Sequence, residues 1–181
     1  MSRDLFGEVP YPAGPAPGSM LARLLDGPVA PGRVCWIGLR PARRAAMRVV
    51  EAAEAEAGQG LAGDRFASGR NGARQVTLMA MEQLRAITGY LGGAPVEPAR
   101  LRRNVVVEGI NLSALRNRRF RLGGALLEWS GDCHPCSRMD EELGPSGYNA
   151  VRGHGGITAR VLEGGVIRLG DLVERVLPAA P

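Results

Sequence analysis

Cys133, His134 and Cys136 fall within one stretch, "EWSGDCHPCSRMDEELGPSG" (Glu128–Gly147), of a 181-residue chain that has three cysteines and two histidines. Four chemistries compete for it: a dithiol, part of a zinc site, a single reactive thiolate, or ordinary packing. A C-x-x-C dithiol works when its first cysteine sits at a helix N-terminus and the second resolves a mixed disulfide. Here the pair follows a hairpin pattern, and Trp129 stands four residues before Cys133 rather than beside it. Structural zinc takes four well-spaced ligands. Cys133, His134, Cys136 and His154 are nominally four, yet Cys133 and His134 are adjacent, no second C-x-x-C exists, and Cys35 is remote.

Local signals suit a single thiolate. "SRMD" reads as a capping box with Ser137 as N-cap, and Gly144-Pro145 as a stop. This predicts a short helix that starts directly after Cys136. Pro135 holds His134 extended. Cys136 then lies beside the positive end of a helix, near Arg138 and His134, and such neighbours favour thiolate over thiol. A thiolate is a soft nucleophile and a soft metal ligand. An inert cysteine that packs a turn is the alternative.

The remaining chemistry is carried by arginine. The chain has no lysine, so all 23 basic residues are arginines, and the net charge is +5. A GC-rich coding bias would give this composition; so would anion binding, since the guanidinium fork holds phosphate or carboxylate bidentately. "GLAGDRF" (Gly60–Phe66) offers glycines that let backbone approach a ligand, with Asp64 and Arg65 in a loop. "ARLRRNVVV" (Ala99–Val107) sets three arginines before a strand. Strand alternation would put Arg102 and Asn104 on one face and Arg103 on the other. "RNRRFR" (Arg116–Arg121) reads as a solvated charge run, and His154 stands among the glycines of "GHGGITARVLEGG".

These residues need elements to position them. "RVCWIGL" (Arg33–Leu39), "QVTLM" (Gln75–Met79) and "NVVVEG" (Asn104–Gly109) read as strands, and "MEQLRAITGYLGG" (Met81–Gly93) as a helix stopped by glycine. "RRFRLGGALLEWSG" (Arg118–Gly131) reads as a hairpin that turns at Gly123-Gly124, and "GITARVLEGG" with "VIRLGDLVERV" as a second hairpin. Arg43–Gly58 is ambiguous: its Ala/Glu content favours helix, while "MRVVEA" suits a strand. Strands dominate with no sustained βαβ alternation. The expected fold is mainly β (α+β), a barrel-like structure with a few short helices.

Composition sets the class. Residues 1–19 read as a Pro/Gly-rich tail and residues 20–178 as one domain. No stretch resembles a signal peptide or a membrane span, and an odd cysteine count does not suit a secreted disulfide framework. A cytoplasmic protein with reduced thiols is expected. Nucleic-acid binding is permitted by the charge but disfavoured, because aromatics make up only 4% of the chain and acids intersperse with the arginines.

In order, "GLAGDRF", "RQVTLMAMEQL", "LRRNVVVEGINLSAL", "FRLGGALLEWSGDCHPCSRM" and "GITARVLEGGVIRLGDLV" resemble a MOSC domain of the stand-alone bacterial type, from about Gly32 to Val176. The resemblance implies a β-barrel similar to the small barrel domain of pyruvate kinase, with "MRVVEA" a strand. It implies the molybdenum cofactor (molybdopterin), with Cys136 matching the cysteine proposed to ligate molybdenum or carry sulfur. Arg102, Asn104 and Arg65 match residues that hold the pterin phosphate. Arg74 is a weaker candidate for that role, and His134, Arg138 and His154 would line the pocket. Relatives reduce N-hydroxylated compounds with an electron-donor protein. Others work with a sulfur donor, an aminotransferase-like domain, which is the family's link to pyridoxal phosphate. The alternative for this chain is therefore a non-catalytic sulfur or cofactor carrier that uses a Cys136 persulfide.

Overall fold

The computed structural model describes residues 14–67, 72–93 and 95–177. Most of the expected N-terminal tail, part of the Gly58–Arg74 loop and the last residue of the 20–178 span lie outside these limits. Helix α1 is Met20–Leu25. Strands β1 (Gly32–Leu39), β2 (Arg48–Val49), β3 (Ala52–Glu56) and β4 (Gly60–Leu61) follow, then a 3-10 turn at Arg65–Ala67. Strand β5 (Val76–Ala80) leads through helices α2 (Met81–Leu91) and α3 (Pro98–Leu101) to β6 (Val105–Glu108). The chain continues with β7 (Arg119–Leu122), β8 (Ala125–Asp132), α4 (Arg138–Leu143), α5 (Gly147–Val151), β9 (Ile157–Glu163), β10 (Gly165–Arg168) and β11 (Leu172–Arg175).

Seven strands run in the order β11-β7-β8-β9-β5-β6-β1, and β11 pairs back onto β1, so the sheet closes into a mixed barrel. Closure removes free strand edges. Within the ring only β5 and β6 are parallel, with Leu78 opposite Val105. A parallel pair needs a crossover, and α2 and α3 supply it. Strands β10, β3 and β4 form a small flanking sheet.

Alternation along the strands divides the interior from an outer layer. Val76, Leu78 and Ala80 of β5, with Val105 and Val107 of β6, join Ile37, Phe120, Leu127 and Val173 inside the barrel. Met79, on the opposite face of β5, joins Leu84, Ile87, Val96, Leu101, Met139 and Val151 in a second apolar cluster under the helices. Thr77 and Asn104 are buried polar residues. Thr77 shares the face of Met79, so this polar pair lies toward the helical layer.

The ambiguous Arg43–Gly58 segment forms β2 and β3. In β3, Ala53 and Ala55 are buried while Glu54 and Glu56 are exposed. That period-two burial overrides the local helix preference. The hairpin at Gly123-Gly124 is formed by β7 and β8. The second expected hairpin is not formed: β9 pairs with β8 and β5, β10 with β3, and β11 with β7 and β1. The chain leaves the barrel at Gly164-Gly165, where a Cβ on Gly165 would stand 2.4 Å from the backbone of Gly124. Only glycine permits that crossing, and it carries β10 away from β9.

Candidate functional site

The site is built on a buried polar network at the start of β6. Asp64, whose side chain has no solvent exposure, takes a bidentate contact from Arg40, which follows β1. Arg40 Nη2 donates to Asp64 Oδ2 at 2.7 Å and Nε to Oδ1 at 3.0 Å, while the Arg40 backbone N–H donates to Oδ1 at 2.7 Å. Burial pushes the Asp64 carboxyl up, but the hydrogen bonds and charge of Arg40 outweigh it and hold the group below the usual carboxylate range. Asn104 fills the gap behind the pair. Its Nδ2 donates to Asp64 Oδ1 and the Gly38 carbonyl, and its Oδ1 accepts from Arg40 Nη2 and from the backbone and hydroxyl of Thr77. Asn104 is fully buried, so its amide is spent on protein partners and orients Arg40 rather than facing solvent.

Three further arginines, Arg65, Arg102 and Arg138, join Arg40 here. The Arg65 backbone N–H donates to the Arg40 carbonyl, and its side chain is exposed. Arg102 caps α3 in the left-handed conformation (φ 56°), so strand alternation does not set its direction as the sequence suggests. Its Nη1 donates to the Ala45 carbonyl at 2.7 Å. Burial, and then the like charges of Arg138, Arg40 and Arg65, lower the pKa of Arg102, with Glu142 opposing. The charges of Arg40, Arg65 and Arg138 thus all reach Arg102. Arg138 is paired with Glu142 at 2.8 Å and Arg40 with Asp64. Among the described residues, neither Arg65 nor Arg102 has a carboxylate within ion-pair distance.

Arg138 is the first residue of α4, and Cys136 stands two residues earlier. The Cys136 carbonyl accepts the Met139 N–H at 2.9 Å, and its side chain is exposed. The expected helix is present and stops at Gly144, but the capping box is not made. Ser137 has helical dihedrals and no side-chain cap, because Asp140 instead accepts the Tyr148 N–H at 2.8 Å and ties α4 to α5. The loop before Cys136 is held by Arg103. This buried guanidinium donates to the carbonyls of Gly155, Leu101 and Cys133. The Cys133 N–H donates to Gly156 at 2.9 Å, and a Cβ on Gly155 would lie 1.9 Å from the Cys133 oxygen. Cys133 thus anchors the loop by its backbone.

His154 turns to Tyr90, with ring centroids 5.2 Å apart, and lines a 380 Å³ surface cavity with Ser146, Asn149, Ala150 and Arg152. His134 is exposed on the cysteine loop, and Arg74 is exposed ahead of β5. No group of three or more His, Cys, Asp or Glu side chains among the described residues could hold a metal by itself, so the zinc arrangement is not assembled. The arginines of the Arg116–Arg121 run pair with acids instead: Arg116 with Asp132, Arg118 with Asp26, Arg119 with Glu128 and Arg121 with Glu163. Sequence reasoning missed Arg40 and gave Arg103 no role. The signal for Arg40 was an arginine ending an otherwise apolar strand.

A closed mixed barrel with an exposed cysteine just before a helix on its flank defines the class. The MOSC domain model matches residues 45–174, and the chain belongs to the MOSC domain family. The fold is shared with solved structures of low identity. YuaD from Bacillus subtilis superposes with a TM-score of 0.71 at 19% identity, covering 82% of this chain and 97% of that one. YiiM from Geobacillus stearothermophilus gives 0.65 at 17% identity, covering 80% and 75%. YiiM from Escherichia coli gives 0.62 at 18%, covering 82% and 72%. Among curated proteins, none matches the chain. No helix of the described residues is long and apolar enough to cross a membrane.

Proposed function

We propose that this MOSC protein binds the molybdenum cofactor and reduces N-hydroxylated compounds with electrons from a separate donor protein. The observation that carries this reading is the exposed Cys136 thiol two residues before Arg138, one of the arginines whose charge acts on Arg102, while Arg65 and Arg102 lack carboxylate partners among the described residues. The donor set fits the group: guanidinium forks suit a phosphate, and a thiol suits a soft or high-valent metal.

Arg65 and Arg102 would hold the phosphate, with Arg40 fixed beside them by Asp64 and Asn104. Cys136 would be the metal ligand. When bound, the cofactor supplies two-electron oxygen-atom transfer. The overall reaction cleaves the N–O bond, consumes two electrons and two protons, and releases an amine and water. The protein's own work is positional. Asp64 fixes the Arg40 fork, Arg103 fixes the Cys133 carbonyl, and Gly155 allows the two loops to touch. Preorganised charge of this kind spares reorganisation on binding.

The test is expression in a host that makes the cofactor, followed by molybdenum and pterin analysis of wild type, Cys136→Ala and Cys133→Ala. The expected result is metal in wild type and Cys133→Ala and none in Cys136→Ala, with all three folded. Equal metal in wild type and Cys136→Ala refutes the reading. A metal-free wild type that carries one extra sulfur on Cys136 and does not reduce hydroxylamino bases would instead establish the sulfur-carrier alternative.

A further inference from the structure

Tyr90, in the last turn of α2, is 64% exposed and is the one aromatic among the exposed large hydrophobic side chains of the described residues. His154, in the turn between α5 and β9, tilts against it, with ring centroids 5.2 Å apart and planes at 52°. Both rings line the 380 Å³ cavity, with Ser146, Asn149, Ala150 and Arg152. The elements that carry this lining are packed together: Ile87 of α2 shares the second apolar cluster with Ala150 and Val151 of α5. The turn after α5 is closed by its own backbone. The Arg152 N–H donates to the Tyr148 carbonyl at 3.1 Å and the His154 N–H to the Val151 carbonyl at 2.8 Å. The lining is therefore organised before any ligand arrives, which lowers the cost of binding.

The chemistry of the lining is one-sided. It holds a guanidinium, an amide, a hydroxyl, an imidazole and a phenol, and no carboxylate. Among the described residues Arg152 has no acid within ion-pair distance, whereas Arg116, Arg118, Arg119 and Arg121 each have one. Ser146 precedes α5 in the left-handed conformation (φ 77°), and its hydroxyl does not cap that helix. This conformation costs stability in a residue other than glycine, and the hydroxyl is left to the cavity.

We infer that this cavity binds a small planar ring that carries one anionic group, a carboxylate or a phosphate. Arg152 meets the anion with its guanidinium fork. Ser146 and Asn149 supply a hydroxyl and an amide donor to the same group. The ring lies against Tyr90 and His154, because an aromatic face takes a planar ligand with little demand on its identity. The cavity's 380 Å³ is near the lower end of the roughly 300–1,000 Å³ typical of ligand sites, so one ring system with one anionic group suits it better than a dinucleotide. The site shares no residue with Asp64, Arg65, Arg102 and Cys136, and the inference holds whether or not Cys136 carries a metal. His154 is nonetheless tied to the cysteine loop: the next residue, Gly155, accepts at its carbonyl from Arg103, which also donates to the Cys133 carbonyl.

Calorimetric titration of the full chain with adenosine 5′-monophosphate, benzoate, adenosine and inorganic phosphate tests this. At least one of the two probes that join a ring to an anion is expected to bind one-to-one with a dissociation constant below about 1 mM. Adenosine and phosphate each offer half of the recognition and should bind at least about tenfold more weakly. Tighter binding of the monophosphate than of benzoate assigns the anion as phosphate, and the reverse assigns it as carboxylate. Arg152→Gln should weaken binding about tenfold, the scale of one charge-assisted contact, and Tyr90→Ala about fivefold, the scale of one stacked ring. Ser146→Gly removes the hydroxyl and the left-handed strain together. It should weaken binding while the thermal midpoint holds or rises, which separates a ligand contact from a structural role. Dissociation constants above about 1 mM for both ring-and-anion probes overturn the inference. So does phosphate binding as tightly as the monophosphate, or binding that Arg65→Gln abolishes and Arg152→Gln leaves intact.

Discussion

At the residue scale, Arg102 and Asp64 answer differently to substitution. Arg102 is kept partly buried and among like charges, which in that order lower its pKa, a cost to stability that suits a group meant to meet an anion. Arg102→Gln should therefore leave the thermal midpoint unchanged or slightly raised, while weakening phosphate binding about tenfold, the scale of one charge-assisted contact. Calorimetric titration beside a melting curve reads both. Asp64 is the opposite case. Its carboxyl is depressed in the folded state, so its stabilisation is complete above the unfolded value near 4 and is lost as pH falls through the lower native value. Denaturant midpoints should fall with acid below about pH 4. Asp64→Asn should cost about 3 kcal/mol at neutral pH, as for one partner removed from a buried pair, and should flatten that acid limb. Among the thiols, burial and then the Glu108 charge push Cys35 up to about 11, whereas Cys136 is exposed. Alkylation followed by peptide mapping should find Cys136 modified first and Cys35 last. These residues were unevenly legible. The short helix after Cys136 is legible, although its capping box is not made, and Arg102 leaves the strand alternation that the sequence suggests. The burial of Asn104 comes from partners 27, 40 and 64 residues away in sequence, and spacing along one strand does not reveal such partners.

At the element scale, the cysteine loop depends on the glycine turn before β9. Gly155→Ala forces a methyl group against the Cys133 carbonyl. The expected cost is about 2 kcal/mol, typical of overpacking, and the loop bearing Cys136 should shift. Cys133→Ala leaves that backbone contact alone and should be close to neutral. Thermal melts of the two variants decide between a backbone and a side-chain role for position 133. Most elements were legible because their signals are local: glycine ends α2 in the left-handed conformation, and Gly123-Gly124 turns the first hairpin. Arg43–Gly58 was ambiguous because its Ala/Glu content favours helix while "MRVVEA" suits a strand, and the period-two burial that decides β3 comes from packing. The second hairpin failed because pairing depends on where the chain is carried after Gly164-Gly165, not on the length of the turn.

At the scale of the whole molecule, barrel closure explains why a chain so poor in aromatics has a continuous core. Its interior is filled mainly by Val, Leu, Ile and Ala from all seven strands, with Phe120 and Trp129, and α2 to α5 cover the flank where β5 and β6 run parallel. That flank carries α4, with Cys136 just before it. The strand-rich composition made a barrel legible, but the β1–β11 closure joins residues about 140 apart and only the fold displays it. The proposed function rests on Cys136 as a metal ligand near Arg138. The most direct measurement is the molybdenum-to-protein ratio of Cys136→Ala against wild type, both purified from a cofactor-producing host and both shown to be folded. A ratio near one in wild type and near zero in the variant is predicted; equal ratios in the two would contradict it.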